Sequence, residues 1–210
     1  MKKYKETFET WNKVASLYQE KFMDLDLYND SYDIFCNSIP NENSSILEIG
    51  CGPGNITKYL LSKRPDFKIY GIDVAPNMIE LAKKNNPTAQ FDVMDCRNIN
   101  ELNSKYDGII CGFCLPYLSE KDGSKFLFDS YNLLSKNGVL YISFVEGNPS
   151  DSGFKTASTG DRTYFYYYEL EGLKKQLVES GFEMPEIYKV NYKRNEKEVE
   201  THTIVLTRKR

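Results

Sequence analysis

The residues best placed by type and spacing to do chemistry form one group: Glu48, the glycines Gly50, Gly52 and Gly54, and the acids Asp73 and Asp95. The apolar run Ile46-Leu47-Glu48-Ile49 ends in the turn Gly50-Cys51-Gly52-Pro53-Gly54, which opens into an expected helix. A second apolar run, Ile69-Tyr70-Gly71-Ile72, ends in Asp73. Strand, glycine turn, helix, strand and acid, in that order, grip an adenosine and its ribose in nucleotide-binding α/β folds. The turn departs from the dinucleotide fingerprint, because the third glycine of G-x-G-x-x-G belongs at Asn55, and the phosphate-loop pattern G-x-x-x-x-G-K-[ST] is absent. Carboxylates at positions 48, 73 and 95 repel a pyrophosphate. They suit a nucleoside that carries positive charge and offers amine and hydroxyl donors.

Positioning these groups calls for a parallel sheet. Strands are expected over 45–50, 68–73, 89–94, 106–113 and 139–145, with helices over 55–63, 76–85 and 119–134. Alternating strand and helix is the pattern of a sheet covered on both faces. Phe8, Trp11, Ala15, Tyr18 and Phe22 recur at helical period in a leading segment, and a second short helix is expected over 32–39. The helix ending near Leu134 should stop at Asn137-Gly138, with the glycine as a left-handed cap. Residues 147–162, rich in Gly, Ser, Asp, Thr and Pro, read as a long loop and a candidate lid. The aromatic run Tyr164-Phe165-Tyr166-Tyr167-Tyr168 should place alternate rings on opposite faces. A helix over 169–180, ended by Gly181, precedes strands over 185–193 and 198–207, joined by a hairpin turn at 194–197. The expectation is one domain over 1–210, with 1–44 as a helical cap and 45–210 as the core.

The run Glu48-Ile49-Gly50-Cys51-Gly52-Pro53-Gly54 resembles the E-x-G-x-G-x-G signature of class I S-adenosylmethionine-dependent methyltransferases. The likeness continues through Gly71-Ile72-Asp73, Ala75-Pro76-Asn77-Met78, Asp95-Cys96, Tyr106-Asp107-Gly108-Ile109-Ile110, Leu115-Pro116-Tyr117-Leu118 and Leu134 to Leu140. It implies an α/β fold, a Rossmann-like doubly wound sheet of seven strands in the order 3-2-1-4-5-7-6, the last antiparallel. It also implies S-adenosylmethionine as cofactor. Transferred to matching positions, the resemblance sets backbone at Gly50, Cys51 and Gly52 against the methionine part and Glu48 at its amino acid end. Asp73, with Val74 beside it, would accept the ribose hydroxyls. Met78 would pack on the adenine, with Asp95 and Cys96 near its exocyclic amine. Gly112 and Phe113 would line the sulfonium side, and Trp11 and Tyr18 would close over the cofactor.

Methyl transfer from a sulfonium is an in-line displacement in which alignment and exclusion of water supply much of the acceleration, so no catalytic triad is required. The identity of any base stays open. Tyr117 after the fourth strand, Glu146 after the fifth and Tyr18 from the leading helix are candidates to face an acceptor, the tyrosines as contacts, since an unperturbed phenol titrates near 10. His202 reads as structural. Five cysteines and a single histidine lack the spacing of a metal site, and Cys111-Gly112-Phe113-Cys114 reads as structural thiols. A net charge of −3 without a basic stripe argues against nucleic acid and for a small-molecule acceptor. No run approaches bilayer length and no charged-then-apolar leader opens the sequence, so the expectation is a cytoplasmic monomer or homodimer without a membrane partner. Methylation of a protein or tRNA, and a non-catalytic S-adenosylmethionine-binding module, are the alternatives.

Overall fold

The computed structural model describes residues 2–157, 160–193 and 198–210. Its helices are α1 (Lys2–Lys13), α2 (Ala15–Phe22), α3 (Asn29–Asn37), α4 (Asn55–Lys63), α5 (Pro76–Asn85), α6 (Glu120–Leu133) and α7 (Leu170–Glu179). Its strands are β1 (Ser45–Ile49), β2 (Lys68–Asp73), β3 (Gln90–Val93), β4 (Tyr106–Gly112), β5 (Leu134–Val145), β6 (Gly153–Thr156), β7 (Arg162–Phe165), β8 (Glu186–Lys193) and β9 (Val199–Arg208). Seven strands make one sheet in the order β3-β2-β1-β4-β5-β9-β8. The first five run parallel, and β9 inserts antiparallel between β5 and β8. Setting aside β6 and β7, which pair with each other, this is the order the resemblance implies.

Burial explains why the central strands read as continuous apolar runs. One face of the sheet packs Ile46, Ile110 and Tyr141 against Tyr32, Phe35 and Leu60 from α3 and α4. The other packs Leu47, Ile109 and Ile142 against Phe126 and Leu127 of α6 and Leu173 and Leu177 of α7. With both faces covered, neither has an alternating polar side. The chain reverses its winding between β1 and β4. That switch point opens a crevice at the strands' carboxyl ends.

Three expectations need correction. The leading period holds, but α1 and α2 are separate helices broken at Val14 (φ −93°, ψ 12°). α6 ends at Leu133 on an extended Leu134 without a left-handed cap, and the left-handed residue is Asn137 (φ 63°), not Gly138, inside β5, where the strand bulges between the pairs Leu134–Tyr106 and Val139–Gly108. Asparagine tolerates that conformation. Finally, 147–162 is not a structureless loop. A short 3-10 turn, Pro149–Asp151, is capped by Asn148, and β6 pairs antiparallel with β7. Small polar residues hid a four-residue strand whose partner is the aromatic run. Residues 158 and 159 of this stretch, and the hairpin turn expected at 194–197, lie outside the described residues.

α1 docks on that hairpin. Thr10 Oγ1 donates to Arg162 O at 2.8 Å, Tyr164 N donates to Thr7 Oγ1 at 2.9 Å, and Arg162 Nε donates to Glu6 Oε1 at 2.8 Å. The rings alternate as expected, Tyr164 meeting Tyr166 at 4.6 Å and Phe165 meeting Tyr167 at 5.0 Å.

Candidate functional site

The turn after β1 holds its shape through positive backbone angles, Gly50 at φ +68° and Gly52 at φ +52°. A Cβ on Gly50 would stand 2.8 Å from Cys114 Cβ, so the turn rests directly on the segment after β4. Gly50 N and Cys51 N both donate to Ile72 O, at 2.8 and 3.0 Å, which locks the turn to β2. Asp73 is held from both sides, its Oδ2 accepting from Gly52 N at 3.0 Å and its Oδ1 from Ala75 N at 2.9 Å. Burial pushes the Asp73 carboxyl up, and the N–H donors of Ala75, Gly52 and Val74 oppose that rise. Each oxygen keeps a further lone pair for a ligand hydroxyl.

Glu48 is fully buried in β1, beneath the turn. Thr57 Oγ1 donates to its Oε2, whereas Oε1 has no partner. Burial raises the carboxyl to about 8, against the Thr57 bonds and with a smaller contribution from the Asp73 charge. With no cation beside it, that carboxyl holds its proton at neutral pH, and a cation brought to Oε1 would favour its ionised form.

A roof of aromatic rings covers these acids. Tyr18 Cε1 comes within 3.6 Å of where a Cβ on Gly52 would sit. Burial, followed by the charges of Asp73 and Glu48, lifts its phenol to about 12. Trp11 meets Tyr18 edge-on at 5.7 Å and Tyr117 at 5.4 Å, and its Nε1 is buried without a partner. Met78 is buried with Ala15 and Ala75, and Trp11 and Tyr18 pack against that group. Burial keeps the Tyr117 phenol protonated by pushing it far up.

The remaining expected residues divide. Asp95 caps the 3-10 turn Cys96–Glu101 and pairs with Arg97 through both carboxylate oxygens. The Arg97 guanidinium in turn lies 4.0 Å from the Tyr4 ring of α1. That carboxylate therefore also anchors the leading helix. Cys96 Sγ lies 3.8 Å from Cys114 Sγ, beside the turn. Gly112 ends β4, and Phe113 adopts a left-handed φ of 55° while its N–H donates to Ser143 O and Oγ at 3.1 Å each. Glu146 belongs to another wall. It accepts a hydrogen bond from Lys189, which draws its carboxyl down, and lines a hollow of about 820 Å³ at the end of β5.

Three participants were not read from the sequence. Thr57 lies one helical turn beyond Gly54 and Arg97 two residues past Asp95, spacings that offered a signal. The third is the contact of Tyr28 with His202, 174 residues apart, which has no sequence signal.

Residues 46–138 match a family model described as a methyltransferase domain. Over these residues the chain is similar to class I, S-adenosylmethionine-dependent methyltransferase domains. A malonyl-acyl-carrier-protein O-methyltransferase of Acetivibrio thermocellus is 40% identical over 100 residues, covering 47% of this chain and 34% of that protein. The chain spans about a third of the length of the first curated relatives it matches. Among solved structures, an S-adenosylmethionine-dependent methyltransferase from Clostridium acetobutylicum superposes with TM-score 0.73 at 19% identity, covering 95% of this chain and 98% of that one. The Burkholderia thailandensis 1,6-didemethyltoxoflavin-N1-methyltransferase, solved with that acceptor and S-adenosylhomocysteine, gives TM-score 0.68 at 17% identity over 94% and 84% of the two chains. At these identities the structures speak for the fold of the methyltransferase domain. Among its described residues, no helix is long and apolar enough to cross a membrane.

Proposed function

We propose that the chain transfers the methyl group of S-adenosylmethionine to a small-molecule acceptor, acting as one domain over 1–210 in the cytoplasm. The observation that carries this reading is Glu48, a buried carboxylate with one unpartnered oxygen beside a glycine turn and a second acid, Asp73. A ligand presenting an ammonium to Glu48 and hydroxyls to Asp73 supplies what both lack. Backbone at Gly50, Cys51 and Gly52 then lies along the methionine part, with Val74 at the ribose end. Met78, Trp11 and Cys96 surround the adenine, while Asp95 contributes through what Arg97 leaves of its acceptor capacity. Gly112 and Phe113 border the sulfonium.

When bound, S-adenosylmethionine supplies a methyl group on a positively charged sulfur, activated before any protein group acts. The chain's own work is to align and to keep water out. Tyr18, which lies against Gly52, does the second, backed by Trp11 and, behind it, Tyr117. A small acceptor is supported by the absence of a basic stripe and by the 1,6-didemethyltoxoflavin bound in the Burkholderia structure. The test is transfer of labelled methyl from S-adenosylmethionine to a panel of amines, phenols and carboxylates. Labelled product that is lost in Asp73→Ala upholds the reading, and S-adenosylhomocysteine binding without transfer to any panel member contradicts it.

A further inference from the structure

The three acids of the crevice differ in what neutralises them. Among the described residues Glu48 and Asp73 have no cation beside them, their protein donors being the Thr57 hydroxyl and the amides of Gly52 and Ala75. Asp95 has Arg97. It follows β3 directly and is held next to Asp73 in the sheet, because Met94 N donates to Asp73 O at 3.0 Å.

Among the described residues, every donor to the Asp95 carboxylate belongs to Arg97. The Arg97 backbone N–H donates to Oδ1 at 2.9 Å, Nε donates to both oxygens at 3.0 Å, and Nη2 donates to Oδ2. A carboxylate offers about four acceptor positions, so three N–H donors leave one. A planar guanidinium working with an amide of the same residue also fixes the plane of the carboxylate, which a single ammonium does not.

That arrangement selects the partner by charge. An ion pair with one open acceptor position suits a neutral N–H donor, whereas an ammonium is drawn to an acid that lacks a cation. Of the donors on S-adenosylmethionine, the ammonium and the ribose hydroxyls already have Glu48 and Asp73. The neutral N–H group that is left is the exocyclic amine of adenine.

Arg97 also carries the leading helix. Its guanidinium lies 4.0 Å from the centroid of the Tyr4 ring and 5.7 Å from that of Phe8, two rings one turn apart on α1. Tyr4 is fixed at its far end, where the hydroxyl donates to Asp122 Oδ2 at 2.5 Å and accepts from Ser119 N at 2.9 Å. Lys125 of α6 holds the Arg97 backbone, donating to its carbonyl at 2.7 Å. The other end of α1 is tied to the residue before Met78, since Asn77 N donates to Asn12 Oδ1 at 2.9 Å and Asn77 Nδ2 to Asn12 O at 2.8 Å. α1 therefore bridges Arg97 and the start of α5, the two segments beside Asp95 and Met78.

We propose that Arg97, braced by Tyr4 of α1, is a positioning residue for Asp95 that reserves one acceptor position of this carboxylate for the exocyclic amine and so sets the preference for adenine over a 6-oxo base. This rests on S-adenosylmethionine being the cofactor.

S-inosylhomocysteine is the probe, because it carries a carbonyl oxygen where S-adenosylhomocysteine carries the exocyclic amine and keeps the ribose and amino acid parts. Dissociation constants for both compounds are measured by calorimetry on the full chain as wild type, Arg97→Ala, Arg97→Lys and Tyr4→Leu. The ratio of the two constants within one variant is insensitive to a general loss of competent protein, which lowers both affinities alike. Wild type should bind S-adenosylhomocysteine about tenfold or more the tighter, the scale of one hydrogen bond to a charged group. The ratio should fall to within about threefold in Arg97→Ala and also in Arg97→Lys, which keeps the charge and loses the planar fork. Tyr4→Leu should lower it with Arg97 in place.

No wild-type preference between the two compounds, or a preference retained in Arg97→Ala or Arg97→Lys, would overturn the proposal and leave the cofactor reading standing. A preference retained in Tyr4→Leu would overturn the part given to α1. Failure of wild type to bind S-adenosylhomocysteine would overturn the cofactor reading and this proposal with it.

Discussion

The two ends of the crevice are built in different ways. At β1 and β2 the site is backbone: positive φ angles at Gly50 and Gly52, amides of Gly50 and Cys51 on Ile72, and amides of Gly52 and Ala75 on Asp73. At β5 and β9 it is side chain, with Tyr28, Phe113 and Glu146 arriving from separate elements to join His202 and Glu200 of β9. A backbone cradle tolerates almost no substitution at its glycines, while a side-chain wall can be rebuilt one residue at a time. The glycine-turn half is thus constrained by local geometry and the β5–β9 half by tertiary assembly, and walls of the second kind are free to vary.

That contrast breaks first at Gly50. Gly50→Ala forces a left-handed alanine and drives a methyl group into Cys114, costing about 2–5 kcal/mol of unfolding free energy, read by urea denaturation. A change below 1 kcal/mol, about the scale of a surface substitution, would show the cradle to be soft.

Next comes Glu48. Folding raises its carboxyl from 4.5 to about 8, so the folded chain holds that proton more tightly than the unfolded one. Its contribution to stability is complete below about pH 4.5 and is lost progressively as pH rises to about 8, amounting to a few kcal/mol across the interval. Urea midpoints should therefore fall with pH over that range, and Glu48→Gln should flatten the slope. Saturating S-adenosylhomocysteine should flatten it too, by bringing a cation to Oε1.

The smallest effect is expected on the side-chain wall. Tyr28→Phe removes one buried hydrogen bond to His202 and should cost about 1 kcal/mol, leaving S-adenosylhomocysteine affinity unchanged. A tenfold loss of that affinity would couple the two ends and blur the distinction.

The same contrast decides what was legible in the sequence. Gly50, Gly52 and Asp73 fall within two adjacent strands and one turn, so their types and order carry the geometry. Apolar runs placed the strands, the resemblance alone implied their order, and α4, β2 and α5 begin and end at the expected residues. β6 was missed because its residues, Gly153-Phe154-Lys155-Thr156, gain their pairing from an aromatic partner six residues away. The expected role of Asp95 did not anticipate Arg97, whose guanidinium ties that carboxylate to α1 through Tyr4. His202 read as structural because nothing near it in sequence announces Tyr28. Contacts of that kind depend on the finished fold.

Calorimetric titration of the protein with S-adenosylhomocysteine, NAD and ATP tests the central claim most directly, with Asp73→Ala as the companion variant. The account predicts saturable binding of S-adenosylhomocysteine alone, weakened in Asp73→Ala by about 1–3 kcal/mol. No heat with S-adenosylhomocysteine, with binding of NAD or ATP in its place, would contradict it.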